Sequence, residues 1–215
     1  LISQAKPGSD RQLALLRTFS AVATTEEQIN KVAQILDGIE KIEGLVVDTD
    51  LRWALLRRLV VVGKRGEKEI ENELKNDDTV MGREHAAGAK AAIPTIESKK
   101  NNWELVTTDE KLTNSEIHSI LGGLSYMDHA EIMKNFVDTY FDSVAKLWNS
   151  RTHEVGQSLV TVLFPSTNIS NEVIRKCDEF LDKNKELAVG ARRIIIEQRD
   201  SLARALKAQN ADLNN

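Results

Sequence analysis

His153 and Glu154 begin the one stretch of this chain that reads like the start of a metal-hydrolase site. That chemistry needs two histidines one helical turn apart, so that both rings reach one zinc ion, with a glutamate between them as general base, the pattern H-E-x-x-H. The chain continues Val155-Gly156-Gln157, and the second ligand is missing. His85 precedes Ala86-Ala87, His118 precedes Ser119-Ile120 and His129 precedes Ala130-Glu131, so no other histidine opens the pattern. Each of the four reads as a surface or hydrogen-bonded residue. The lone Cys177 falls on the apolar stripe Val173, Ile174, Cys177, Phe180, Leu181. It reads as an inert core thiol, because a nucleophilic cysteine needs a histidine or an electropositive setting. One cysteine also excludes an internal disulfide framework and a cysteine-rich metal site. There is no G-x-S-x-G elbow, Walker-type phosphate loop or G-x-G-x-x-G after a strand. Glu26-Glu27, Asp77-Asp78 and the run Glu69, Glu71, Glu73 lie at expected helix starts or on solvated faces, where capping and solubility account for them. The residues predict no active site.

The polar group in the most unusual setting is an arginine. Val47 to Gly66 reads VDTDLRWALLRRLVVVGKRG, opening with Asp48, Thr49 and Asp50. All three can accept from the unpaired first amides of a helix, and the aspartates also suit its positive end. Leu51, Leu55, Leu59 and Val62 merge with Leu56, Val60 and Trp53 into an apolar arc of roughly 200°, so this helix should be covered on two sides. Arg52 projects into that arc, where its guanidinium must pair with a carboxylate or reach a water-filled groove.

The rest of the chain supplies helices to position it. Leu13, Leu16, Phe19 and Ala23 predict a helix from Asp10, and Thr24 with Glu27 forms a capping box ahead of Ile29, Val32, Ile35 and Leu36. A short charged helix is expected over 67–75. Another, over 79–92, is capped by Asp78 and rich in alanine and glycine. Pro94 suits the first turn of a helix reaching Val106, with Ile96, Trp103 and Val106 inward. Thr113 and Glu116 make a second capping box. Asp128 should start one long helix reaching Trp148, Ser150 the next, and Ser170 the one holding Cys177. The last runs from about Lys185 to Ala208, with a solvated back carrying Arg193, Glu197, Asp200 and Arg204. The β-branched clusters at 60–62 and 194–196 lie within helical periods, so no strand competes. The expected class is all-α: about eleven helices stacked as antiparallel pairs in a curved, degenerate helical-repeat superhelix of the HEAT or armadillo kind.

The 215 residues suffice to bury a core without metals or disulfides. A net charge of -4 without a basic block argues against nucleic acid as a partner. No apolar run approaches the ~18–20 residues that cross a bilayer, and the first residues carry no signal-peptide pattern. The expectation is a soluble, cytoplasmic chain with no membrane partner. It begins at Leu1, and LISQAK reads as the tail of a helix broken by Lys6-Pro7-Gly8-Ser9, which suggests a piece of a longer protein.

The run DTDLRWALLRRL resembles the C-terminal helical domain of zinc aminopeptidases of the aminopeptidase N type, bacterial relatives of the endoplasmic reticulum aminopeptidases. GREHAAGAKAAIPTIESK at 82–99, WNSRTHEVGQSLVTVLFPST at 148–167, VIRKCDEFLDKN and ARRIIIEQRDSLARALKAQNAD resemble the same domain in the same order, so the similarity spans most of the chain. It implies that residues 1–215 are one non-catalytic domain of a longer enzyme that removes N-terminal residues from peptides. It also implies a superhelical cup that closes over an upstream catalytic domain, its partner in the same chain, around the peptide substrate. Zinc would be held upstream. The family's H-E-x-x-H and its G-x-M-E-N loop have no counterpart here, so no catalytic residue carries over and this stretch alone should hydrolyse nothing. A few arginines on a concave face would attract peptide carboxylates. The candidates are Arg52 in the apolar arc, Arg83 on the small-residue helix and Arg151 following Trp148, each with a salt bridge between stacked helices as the competing reading. Two other functions compete: a freestanding helical-repeat scaffold that binds a protein partner, and an all-α transcriptional regulator. The regulator is disfavoured because 10–44 is not notably basic.

Overall fold

The computed structural model describes residues 1–213. Among them are twelve α-helices, eleven of ten residues or more, with three short 3-10 turns and no strand, so the protein is all-α. The chain divides into two compact units, Leu1–Pro94 and the residues from Thr95 onward.

The first unit holds α1 (Asp10–Val22), α2 (Glu26–Leu36), α3 (Thr49–Val61), α4 (Glu67–Asn76) and α5 (Val80–Ala91). Its centre is α3, which packs against the other four. Leu51, Trp53, Leu55, Leu56, Leu59, Val60 and Val61 are all buried, as the wide apolar arc requires. Val62 ends the helix as its C-cap and stays partly exposed. Asp48 caps α3 by accepting from the Leu51 amide at 2.9 Å. Two expected caps move by one residue. Thr25 rather than Thr24 starts α2, with Gln28 as its reciprocal partner, and the Gln28 amide oxygen takes both the Thr24 and Thr25 amides. Thr79 rather than Asp78 caps α5, while Asp77 receives the Thr79 hydroxyl and the Trp53 indole N–H, each at 2.8 Å. Asp78 pairs instead with Arg83.

Between α2 and α3 the chain turns at Gly44, whose φ of +74° lies in the left-handed region open to glycine. A Cβ there would sit 2.5 Å from the Gly8 nitrogen, so the link lies tight against the residues before α1. The buried Gln12 amide fastens both sides, accepting from Gly8 N at 2.9 Å and donating to Glu43 O at 3.2 Å.

The second unit holds α6 (Ile96–Thr108), α7 (Asn114–Leu124), α8 (Ala130–Met133), α9 (Val137–Asn149), α10 (His153–Val162), α11 (Asn171–Lys183) and α12 (Val189–Asp212). Helix α10 touches α7, α9 and α12, and α11 lies against α9 and α12. The capping box of Thr113 with Glu116 and the Ser170 cap form as expected. Pro94 precedes the N-cap Thr95 instead of entering the first turn of α6, and Ile96 is exposed while Trp103 and Val106 are buried. The single long helix expected from Asp128 is broken into a 3-10 turn at Met127–His129, α8, a second 3-10 turn at Lys134–Phe136 and α9. The tighter winding re-aims the apolar side chains, so that Phe136 stacks on Trp103 and Val137 and Tyr140 still face the core. Ser150 closes α9, its hydroxyl bonding Leu147 O, and Thr152 starts α10. The last helix begins at Val189, four residues later than expected, after a turn in which the Leu187 amide bonds Asn184 O.

Tyr140 is fully buried between the edges of Phe141 and Phe164, and its hydroxyl donates to Val160 O at 2.8 Å. Cys177 is buried as well. Desolvation, reinforced by the charge of Asp178, pushes its thiol up to about 12, which keeps it protonated and unreactive at neutral pH. Lys99 was not singled out by the sequence, yet its side chain is fully buried with Nζ donating to Gly123 O near the end of α7 at 3.0 Å. Burial lowers its ammonium to about 7.

Two outcomes follow from this packing. A Cβ at Gly156 would lie 2.4 Å from the Trp148 carbonyl oxygen, so Gly156→Ala should force α9 and α10 apart and cost about 1–3 kcal/mol, read as a fall in Tm. For Lys99 the folded pKa of about 7 lies below the unfolded value of 10.5, so between them the unfolded chain binds more protons. Stability from this group is therefore full above pH 10.5, and is lost as the pH falls towards 7. Urea unfolding across that window should show a rising slope that Lys99→Met flattens.

Candidate functional site

Arg52 reaches its position because Asp48 starts α3 one turn earlier, and because α3 is enclosed by four helices. Its guanidinium meets Glu73 of α4 in a two-pronged ion pair, with Nε and Nη2 each 2.7 Å from a carboxylate oxygen. The third nitrogen donates to Leu36 O at 3.4 Å. Glu73 raises the arginine's pKa, through the hydrogen bond first and its charge second, and fixes the guanidinium as a permanent cation. The environment is lopsided. The Glu73 side chain is 6% exposed whereas that of Arg52 is 36% exposed. The carboxylate lies inside the unit, and the arginine forms part of the wall of a groove of about 580 Å³ with Leu36, Leu45, Val47 and Lys41. Both readings made for this residue thus meet in one side chain, which is paired along one edge and open to water along another.

The more deeply buried arginine of α3 is Arg58, at 5% exposure, with Nε donating to Ala23 O at 2.8 Å. It joins α3 to the end of α1. A signal for it exists in the sequence, since Arg58 lies between Leu55 and Val62 on the same helix.

Arg83 on α5 pairs with Asp78 at 2.8 Å, with both side chains largely exposed, and it lines no groove with Arg52. Such a pair contributes little to stability. Arg151 belongs to the second unit. Its Nη1 donates to Leu112 O at 3.1 Å, while Nη2 is buried and has no hydrogen-bond partner. Beside it lies a groove of about 550 Å³ shared with Lys146, Glu110 and Asn149. Two of the three arginines therefore border grooves, one in each unit, and the third stands on open surface.

The histidines are scattered. His85 stacks on Trp53 at 5.7 Å between ring centroids, with Nε2 buried and 3.9 Å from Asp50. Desolvation first, then the nearby Arg57 charge, holds its pKa below the usual histidine value. His118 meets the Ser158 hydroxyl at 3.2 Å, and His153 lies edge-on to Trp148. His129 is buried beside Tyr126. Among the described residues no three His, Cys, Asp or Glu side chains come together in a way that could hold a metal ion. The donors present among the described residues do not fit a zinc site. Nor, among the described residues, is any helix long and apolar enough to cross a membrane.

Arg52 and Arg151 each border a groove that acidic side chains also line, Glu40 and Glu43 in the first unit and Glu110 in the second. The chain is 39% identical over 208 residues to Aminopeptidase N of Streptomyces lividans, an alignment covering 97% of this chain and 24% of that protein. It thus spans about a quarter of the length of that relative. The family model described as the ERAP1-like C-terminal domain matches residues 2–204, across both units. The chain belongs to the ERAP1-like C-terminal domain family.

Proposed function

We propose that this chain is the non-catalytic C-terminal domain of a cytoplasmic, zinc-dependent aminopeptidase that removes N-terminal residues from peptides. The observation that carries the reading is the alignment of nearly the whole chain with a quarter of a protein named Aminopeptidase N. The family description assigns that quarter to the C-terminal end. The scatter of histidines supports placing zinc, its ligands and the general base in a preceding catalytic domain of the same polypeptide.

In this reading the chain closes over the catalytic domain and helps enclose a peptide-sized cavity. Closure would exclude bulk water from the reaction, and reopening would release product. The contribution of this domain is positional. Arg52, paired yet one-third exposed, would hold a carboxylate of the substrate beyond the cleaved bond, in a groove that Lys41, Glu40 and Glu43 also line. Arg151 and Lys146 offer a similar pair of cations in the second unit. Arg83 would act only through the general field, being exposed and neutralised by Asp78.

Two measurements check this. The full-length protein encoded by the gene should release N-terminal residues from short peptides, lose that activity to a zinc chelator and recover it on adding zinc. Activity indifferent to chelation, or none in a folded full-length protein, would sink the assignment. In the same enzyme Arg52→Ala should raise KM for peptides of several residues by about tenfold, the equivalent of roughly 1.4 kcal/mol, while leaving KM for single-residue amides nearly unchanged. Equal changes for both substrate lengths, or a fall in Tm large enough to unfold the domain, would remove Arg52 from the substrate groove.

A further inference from the structure

The imidazole of His85 lies where α5 meets α3, and one of its nitrogens is left over. The ring stacks on Trp53 at 5.7 Å between centroids, with 28° between the planes. Its backbone carbonyl takes a hydrogen bond from Arg57 of α3 at 3.4 Å. Nε2 is buried and has no hydrogen-bond partner, while a carboxylate oxygen of Asp50, in the first turn of α3, stands 3.9 Å away. A neutral ring can rest in that position, since stacking on an indole asks for no charge. A protonated ring cannot rest there unchanged, because a buried cationic N–H without an acceptor is costly and the Arg57 charge opposes it.

The acids around the ring leave one acceptor. Four charged groups act on it: Arg57 and Asp50 from α3, Asp77 from the link before α5, and Glu84 from α5 itself. Both oxygens of Asp77 are engaged, one by the Trp53 indole and the other by the Thr79 hydroxyl. Glu84 precedes His85 on the same helix and so projects about 100° around it. From α4, which also packs on α5, Glu67 and Glu71 are drawn to Lys90 further along. The Asp50 side chain is 70% exposed and, among the described residues, its carboxylate takes no hydrogen bond, so it is free to turn.

We propose that His85 and Asp50 form a pH-sensitive latch between α5 and the first turn of α3: open while the neutral ring stacks on Trp53, and closed when the protonated ring donates from Nε2 to the Asp50 carboxylate. Closing asks for about 1 Å of approach, from 3.9 Å to the ~2.8 Å of a charge-assisted hydrogen bond. Desolvation first, and then the Arg57 charge, hold the ring below its ordinary value of 6.5, so the latch closes on the acid side of that value. Arg52 follows Asp50 by two residues, and closure therefore acts on the turn that carries the groove arginine. The latch stands on this geometry and on no step of peptide cleavage.

Full-length protein carrying 15N-labelled histidine tests it by NMR, the signals of residue 85 being those lost in His85→Gln. From roughly pH 8 down to pH 4.5 the ring should take up a proton with a midpoint below 6.5, and an Nε2–H proton protected from exchange with water should appear in step. In Asp50→Asn, a change at an exposed side chain, that protected proton should vanish and the proton affinity of the ring should fall about threefold or more. A ring that stays neutral across the range, a protonated ring without a protected Nε2–H, or a protected proton that survives Asp50→Asn would overturn the latch. None of these outcomes bears on chelator-sensitive peptide hydrolysis, which is read separately.

Discussion

A helix packed against four others keeps only a narrow solvated face, and that constraint on α3 organises the first unit. Two of its arginines meet acceptors within the unit. Arg58 takes the backbone carbonyl of Ala23 and ties the end of α1 to the centre. Arg52 takes both oxygens of Glu73 and ties α4 to the same helix. Trp53 gives its indole N–H to Asp77, and Asp77 takes the hydroxyl of the residue that starts α5. Each contact satisfies a polar group that would otherwise be buried alone, at a cost on the order of 1–3 kcal/mol or more where charge is involved. Packing around α3 is thereby also a set of specific ties to α1, α4 and α5.

The same arrangement lets one charge be paired inside the unit and still reach water. The bond to Glu73 is made by one edge of the guanidinium, and the other edge borders a groove. A planar, permanently charged group with five donors can divide its hydrogen bonds in this way, as a lysine cannot. Where a compact ammonium lies in a closed setting, as at Lys99, burial lowers the pKa instead.

Several local features were legible because the code for them is short. Asp48 ahead of α3, Thr113 with Glu116, and Ser170 each satisfy an amide within three residues, so the atoms that decide lie next to one another in sequence. Even the errors of this kind were small: Thr25 for Thr24 and Thr79 for Asp78, adjacent residues with competing oxygens. The break between Asp128 and Val137 was not legible. Ile132, Met133, Phe136 and Val137 keep helical spacing through it, and the stacking of Phe136 on Trp103, some thirty residues away, is announced by no local pattern. Lys99 was overlooked for the same reason, since its acceptor Gly123 lies 24 residues along the chain.

The sequence by itself determined the all-α class, the starts of most helices, the double-sided burial of α3 and the lack of ligand spacing among the histidines. These depend on the periodicity of apolar residues and on contacts three or four residues apart. Only the tertiary structure decided that Arg52 pairs with Glu73 and that Arg58 and not Arg52 is the buried arginine. Any of several acids on solvated-looking faces could have met Arg52 by spacing alone. Which one does depends on how α4 lies across α3, and that is set by the summed packing of the unit and not by the two residues themselves.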